Sequence, residues 1–150
     1  MAANKEIISN LIKSYWMEIE TVINYISNSV NLDGVRAEEI KKSLSVDILE
    51  EIAHAQSLAK RIKELGGSVP GSMQLKAEQK YLQTLKDTTD VVSVIEGVIQ
   101  DEDGAVKQYN KLIKLCEGKD YVTQDLCIRL LGMEESHRIE FKGFLKEYKK

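Results

Sequence analysis

Glu51-Ile52-Ala53-His54 recurs as Glu134-Glu135-Ser136-His137, and together the two stretches use every histidine in the chain. Residues three apart on a helix share a face. Glu-x-x-His therefore aims a carboxylate and an imidazole at one point, a donor pair suited to a transition-metal ion. A lone motif of this kind is usually a surface ion pair. With 16 glutamates in 150 residues, both histidines match by accident in only about 1–4% of cases, on ordinary helix-pairing statistics. Two motifs that exhaust the histidines predict a pair of metal ions inside a helical bundle.

Outward from the motifs, the apolar pattern is helical. Over 4–30, Ile7, Ile8, Leu11, Tyr15, Glu18, Val22, Tyr25 and Ile26 recur at spacings of three and four. Asn31-Leu32-Asp33-Gly34 reads as a turn. A second segment, 36–65, carries Ile40, Leu44, Ile48, Glu51, Ala55 and Leu58 on its inner face and stops at Gly66-Gly67. Residues 66–72, with Pro70, form a loop. The stretch 73–85 is weakly amphipathic, either a short extra helix or the start of the third long one. The third segment is 87–116, weakened at Gly97 and Gly104 by about 1 kcal/mol each relative to alanine. After the turn Glu117-Gly118-Lys119, a fourth segment runs from Asp120 to the C-terminus, its first turn capped by Asp120 or Thr123. The predicted fold is all-α: an antiparallel four-helix bundle of two helical hairpins with a long crossover, which has room for a short extra helix. The whole chain, 1–150, reads as one domain with enough length to bury a core.

Composition narrows the function classes. One proline and 6% aromatic residues argue against an all-β fold. A net charge of −3 leaves no basic footprint, so no nucleic-acid partner is expected. The N-terminus lacks an apolar signal region and nothing approaches a membrane span, so no membrane partner is expected. Two cysteines without a secretory signal predict a reducing, cytoplasmic setting.

The two hairpins repeat each other. Glu18-Ile19-Glu20-Thr21-Val22-Ile23-Asn24-Tyr25 precedes the Glu51/His54 motif; Glu102-Asp103-Gly104-Ala105-Val106-Lys107-Gln108-Tyr109 precedes the Glu134/His137 motif. The separation from leading Glu to motif Glu is 33 residues (51 − 18) in one hairpin and 32 (134 − 102) in the other. At about 1.5 Å per residue, Glu18 lies roughly 18 Å before the first turn and Glu51 roughly 22 Å after it. Glu102 and Glu134 each lie about 21 Å from the second turn by the same rise. Six side chains, Glu18, Glu51, His54, Glu102, Glu134 and His137, can thus meet near mid-bundle. They divide over two metals as one terminal Glu and one His each, with two bridging carboxylates.

In this pattern the chain resembles the ferritin-like di-iron carboxylate superfamily, closest to bacterioferritin and Dps-like ferritins. Glu18, Tyr25, Glu51 and His54 fall in the order and spacing of bacterioferritin, and Asp120-Tyr121-Val122-Thr123-Gln124-Asp125 followed by Met133-Glu134-Glu135-Ser136-His137 resembles its fourth helix. Ile52 stands where bacterioferritins carry a haem-ligating methionine, so no haem is expected. The fifth helix of 24-subunit ferritins is missing and the middle connection is long. The resemblance therefore implies a homo-oligomer, with a 12-subunit cage favoured over a 24-subunit cage or a dimer. It implies two iron ions per subunit, with manganese the alternative, at Glu18, Glu51, His54, Glu102, Glu134 and His137. It further implies oxidation of Fe2+ by O2 or H2O2, with iron stored or detoxified. The alternative is a soluble di-iron or di-manganese peroxidase or oxidase without mineral; a non-catalytic bundle with a coincidental acidic core is the third reading.

Some residues stay open at this level. A gapless count back from the fourth-helix match lands on Asp101 as third-helix ligand; the internal repeat lands on Glu102, which is preferred. Tyr25 and Tyr109 either hydrogen-bond a ligand or fill the core. Tyr15 and Trp16 are core or subunit contacts. Cys116 and Cys127 lie at different heights and read as buried free thiols. Glu20, Glu50, Glu135 and Glu140 are expected to be solvated or to line an inner cage surface.

Overall fold

The computed structural model describes residues 2–150. Within them the chain forms four long helices and no strand: α1 (Ala2–Asn31), α2 (Glu38–Glu64), α3 (Val91–Cys116) and α4 (Tyr121–Tyr148). α1 packs along α2 and α3 along α4, giving two antiparallel hairpins, and α1 lies against α3. The backbones of α2 and α4 stand further apart. No helix among the described residues is long and apolar enough to cross a membrane.

The apolar residues gather at both ends of the bundle. Ile7, Leu11, Leu58, Ile62, Leu112 and Leu130 anchor one cluster, and Leu32, Ile40, Leu44, Val94, Val98 and Phe141 the other. On every helix the residues between these clusters are the predicted ligands, so a polar layer sits between two hydrophobic plugs. Local chemistry sets the helix ends. Gly66, at φ +87°, takes the left-handed conformation that stops α2. Asp120 caps α4 by accepting from the Thr123 amide at 3.0 Å, so Asp120 rather than Thr123 is the cap.

The crossover departs from the sequence reading. The stretch 73–85 is neither a short helix nor the beginning of the third one; only a single 3-10 turn, Ser72–Gln74, is present. α3 begins at Val91 rather than at 87. Asp87 accepts from the Thr89 amide and hydroxyl, and Asp90 caps the helix through the Ser93 amide, so these short side chains hold a turn instead of a helical one. The crossover is ordered by side chains of α1. The Glu20 carboxylate accepts from the amides of Glu78 (2.9 Å) and Gln79 (2.8 Å), Asn24 donates to Gln79, and Asn28 donates to the Leu82 carbonyl. Glu20 is therefore buried and structural, not solvated. Leu82, at φ +58°, lays its side chain on Gly97. A Cβ at Gly97 would lie 2.6 Å from Leu82 Cδ2, so the glycine that weakens α3 locally is what lets the crossover seat.

Candidate metal centre

The mid-bundle layer brings all six predicted ligands together. One donor atom each from Glu18, Glu51, His54 and Glu134 lies within 4.8 Å of the others, and so does one each from Glu51, Glu102, Glu134 and His137. The two groups share Glu51 and Glu134. His54 Nδ1 lies 3.0 Å from Glu134 Oε1, 3.5 Å from Glu51 Oε2 and 3.6 Å from Glu18 Oε2. His137 Nδ1 lies 3.4 Å from Glu51 Oε1 and 3.7 Å from Glu102 Oε1. All six side chains are buried. Four of their atoms, Glu18 Oε2, Glu51 Oε1, Glu102 Oε2 and His137 Nδ1, have no hydrogen-bond partner among the described residues. Buried polar atoms are normally paired. Four unpaired atoms converging on one buried layer of carboxylates and imidazoles are a donor set suited to a cation.

The tyrosines settle into both of their readings at once. Tyr25 and Tyr109 are fully buried, and each donates its hydroxyl across the hairpin pair. Tyr25 of α1 donates to Glu102 of α3 at 2.8 Å, and Tyr109 of α3 donates to Glu18 of α1 at 2.7 Å. The plus-seven spacing from Glu to Tyr in each half thus becomes a reciprocal clamp on the two terminal carboxylates. Asp101 is buried too, but its carboxylate turns away from the cluster and accepts from Thr21 (2.9 Å) and Tyr81 (3.3 Å). Glu102 is the one whose oxygens join the layer.

Charge in the layer is crowded. Burial, then Glu51 and Glu102, push the Glu134 carboxyl well above its usual range. Burial, then Glu102, does the same to Asp101. For Glu51, burial is outweighed by the nearby imidazoles of His137 and His54, which hold it low. For His137, burial is likewise outweighed, here by Glu102, Glu51 and Asp47, and its pKa rises to about 11. Like charges at this spacing cannot all ionise, so they share protons or take up a cation in their place.

The sequence reading passed over Asp47 and did not place Glu50 against a histidine. Asp47 is buried and Glu50 is half-buried, and both lie against His137 on the side away from the cluster. Glu135 and Glu140 are exposed, as expected. Cys116 and Cys127 are buried free thiols; burial pushes them up to about 11 and about 12.

A family model described as the ferritin-like domain matches residues 8–150. The bacterioferritin of Desulfovibrio desulfuricans is 31% identical over 144 residues, covering 91% of this chain and 75% of that protein. The DNA protection during starvation protein of Pyrococcus furiosus is 27% identical over 143 residues, covering 94% and 77%. Among solved structures, a dodecameric thioferritin related to bacterioferritin, from Bacteroides fragilis, superposes with a TM-score of 0.88 at 25% identity, covering 97% of this chain and 87% of that one.

Proposed function

The chain belongs to the ferritin-like domain family, and on that premise we propose that it oxidises Fe2+ with O2 or H2O2 and stores or detoxifies the iron. The observation that carries this reading is the set of four unpartnered atoms in a buried layer built from carboxylates and imidazoles. Carboxylate oxygen and imidazole nitrogen suit iron, with manganese the alternative. Two ions fit per chain. Glu18 and His54 hold one, Glu102 and His137 the other, and Glu51 and Glu134 bridge.

The chain's own groups divide the remaining work. The two hydrophobic plugs keep bulk water from the layer. Tyr25 and Tyr109 fix the terminal carboxylates through their hydroxyls. Protons shared within the crowded layer leave as cations enter. The substrate Fe2+ ions supply one electron each; with two protons these reduce O2 to H2O2, or H2O2 to two waters. Exposed Ile23 and Ile26 on α1 and Leu49 and Ile52 on α2 leave apolar surface for a second copy, which supports a homo-oligomer. The dodecameric B. fragilis thioferritin supports a 12-subunit shell over a 24-subunit one or a dimer. Buried free thiols fit a cytoplasmic setting.

The test combines native mass, iron per chain after aerobic loading, and the rate of Fe2+ oxidation. A closed shell is expected to hold far more than two irons per chain. Glu51→Ala/Glu134→Ala is expected to lose the fast oxidation phase. Fast oxidation that stops at two irons per chain supports an oxidase without storage instead, and oxidation no faster than in buffer overturns both.

A further inference from the structure

Four lysines gather in one cleft of a chain whose net charge is −3. Lys13 of α1 lines an open cavity of about 700 Å3 together with Lys107, Lys111 and Lys114 of α3, and no carboxylate lines it. The three lysines of α3 lie four and three residues apart, so they share a helical face, where like charges cost stability. Helical spacing offers two acids to relieve them, and both are engaged elsewhere. Asp103, four residues before Lys107, pairs with Arg138 at 3.2 Å, and Glu117, three residues after Lys114, accepts from Gln124. Lys13 has no acid three or four residues to either side. Folds break a local rule in this way mainly at functional sites.

A second cavity, of about 220 Å3, adjoins the first along α1 and shares Lys13 and Met17 with it. Trp16 lines this one, with Lys76 of the crossover. The joined recess thus offers ammonium groups at one end and an aromatic side chain at the other. No ligand of the paired cluster lines either cavity.

We propose that the two cavities form one binding site for a nucleoside diphosphate, its phosphates held by the four lysines and its base laid on Trp16. Lysine binds phosphate as a point charge, and linked phosphates satisfy several ammonium groups at once. Lys107 and Lys114 are seven residues apart, about 10 Å along the helix, so both reach one diphosphate on flexible stems. Bound phosphate also relieves the repulsion along the α3 face. A base stacks on an aromatic side chain through its π-face whatever its identity, so the site selects nucleotides rather than one nucleobase. The recess is concave and of small-molecule size, which favours a free nucleotide over a nucleic-acid strand.

Trp16 is the only tryptophan in the chain, so its fluorescence reads the base without a label. ADP titrated into the full-length protein as purified is expected to change that fluorescence to saturation. Pyrophosphate is expected to displace ADP while binding more weakly, and adenosine is expected not to saturate over the same range. Lys107→Gln/Lys111→Gln, at two exposed positions, is expected to weaken ADP at least about tenfold with helicity and native mass intact. Trp16→Leu, followed by equilibrium dialysis, is expected to weaken it at least about fivefold. The absence of saturable ADP binding, an unchanged affinity in the lysine variant, or pyrophosphate that binds as tightly as ADP overturns the proposal. Duplex DNA that binds through the same lysines and is not displaced by ADP also overturns it, and assigns the cleft to nucleic acid. Should Trp16→Leu disturb folding, the pyrophosphate and adenosine titrations of the wild type decide the part played by the base.

Discussion

In the first hairpin, His54 turns Nδ1 toward Glu134 while the Met133 sulfur stands 3.3 Å from Nε2. In the second, His137 turns Nδ1 toward Glu51 and Glu102, and its Nε2 meets Glu50 and Asp47 beside an open cavity. The two motifs are alike in what they aim inward. They differ in what stands behind each imidazole, and both differences trace to one place in the repeat. Met133 immediately precedes Glu134, and Glu50 immediately precedes Glu51. Each lies behind the histidine of the opposite hairpin. A thioether stands behind one imidazole, and carboxylates stand behind the other.

Removing the two histidines in turn strains this comparison hardest. His54→Gln and His137→Gln are each expected to cost one ion of the pair, which Zn2+ stoichiometry reads as two ions falling to one in both. Fe2+ oxidation slows at least about 100-fold in both, since loss even of a group that only supports a ligand costs 10–100-fold. Loss of both ions in one variant alone would show that the difference behind the rings reaches the pair itself.

Exchanging the residues behind the rings sharpens it. Glu50→Met removes the carboxylate that stands against His137 and is expected to weaken the ion beside Glu102 by about 10–100-fold, the usual cost of losing a group that orients a ligand. Met133→Glu places a carboxylate behind His54 and is expected to leave the ion beside Glu18 no weaker. Met133 is 38% exposed, so the new charge has access to water. An unchanged affinity in Glu50→Met would mean that Asp47, which has no counterpart behind His54, orients His137 by itself.

This asymmetry was not legible in the sequence, whereas the pair of motifs was. Glu-x-x-His spacing shows which side chains share a face, because helical period alone decides that. Glu50 and Asp47 sit on α2 where the pattern reads as a solvated face, and only the approach of α4 carries His137 to them. The crossover was illegible for a similar reason. Its order comes from Glu20, Asn24 and Asn28 on a distant helix, and no local periodicity encodes those bonds. The reciprocal tyrosines were half legible: the plus-seven spacing marked them, but not that each serves the other hairpin's carboxylate.

Those tyrosines predict equality where the residues behind the histidines predict difference. Tyr25→Phe and Tyr109→Phe each remove a hydrogen bond to a buried carboxylate, worth about 1.5–3 kcal/mol. Urea denaturation of the metal-free protein is expected to show similar losses for both. A gap well beyond about 0.5 kcal/mol would show that the inner half of the repeat is asymmetric as well.

The glycines of α3 contrast the crossover's seat with its surroundings. A Cβ at Gly97 collides with Leu82, so Gly97→Ala is expected to destabilise by about 1–3 kcal/mol. At Gly104 the nearest atoms, Tyr81 Oη at 3.8 Å and Met17 Cε at 3.9 Å, are at ordinary contact, so Gly104→Ala is expected to stabilise by up to about 1 kcal/mol. Thermal unfolding gives both signs, and a stabilising Gly97→Ala would show that Leu82 yields.

The smallest expected effect lies at the start of the fourth helix, where the hairpins differ again. α2 follows Ala37, which offers no side-chain cap, while α4 follows Asp120. Burial alone would raise the Asp120 carboxyl, but hydrogen bonds from Thr123 and the nearby Arg61 guanidinium outweigh it and hold it below its ordinary range. A carboxyl whose folded pKa is depressed stabilises fully above its unfolded pKa and loses that contribution as pH falls through the folded one. Asp120→Ala is therefore expected to lose about 1 kcal/mol near pH 7, the usual worth of an N-cap. The difference from wild type is expected to shrink as pH drops below about 4, where an unperturbed Asp begins to take up its proton. Denaturation midpoints for both proteins across that range decide the point. A difference that stays constant into acid would assign the effect to the shape of the turn rather than to the ionised cap.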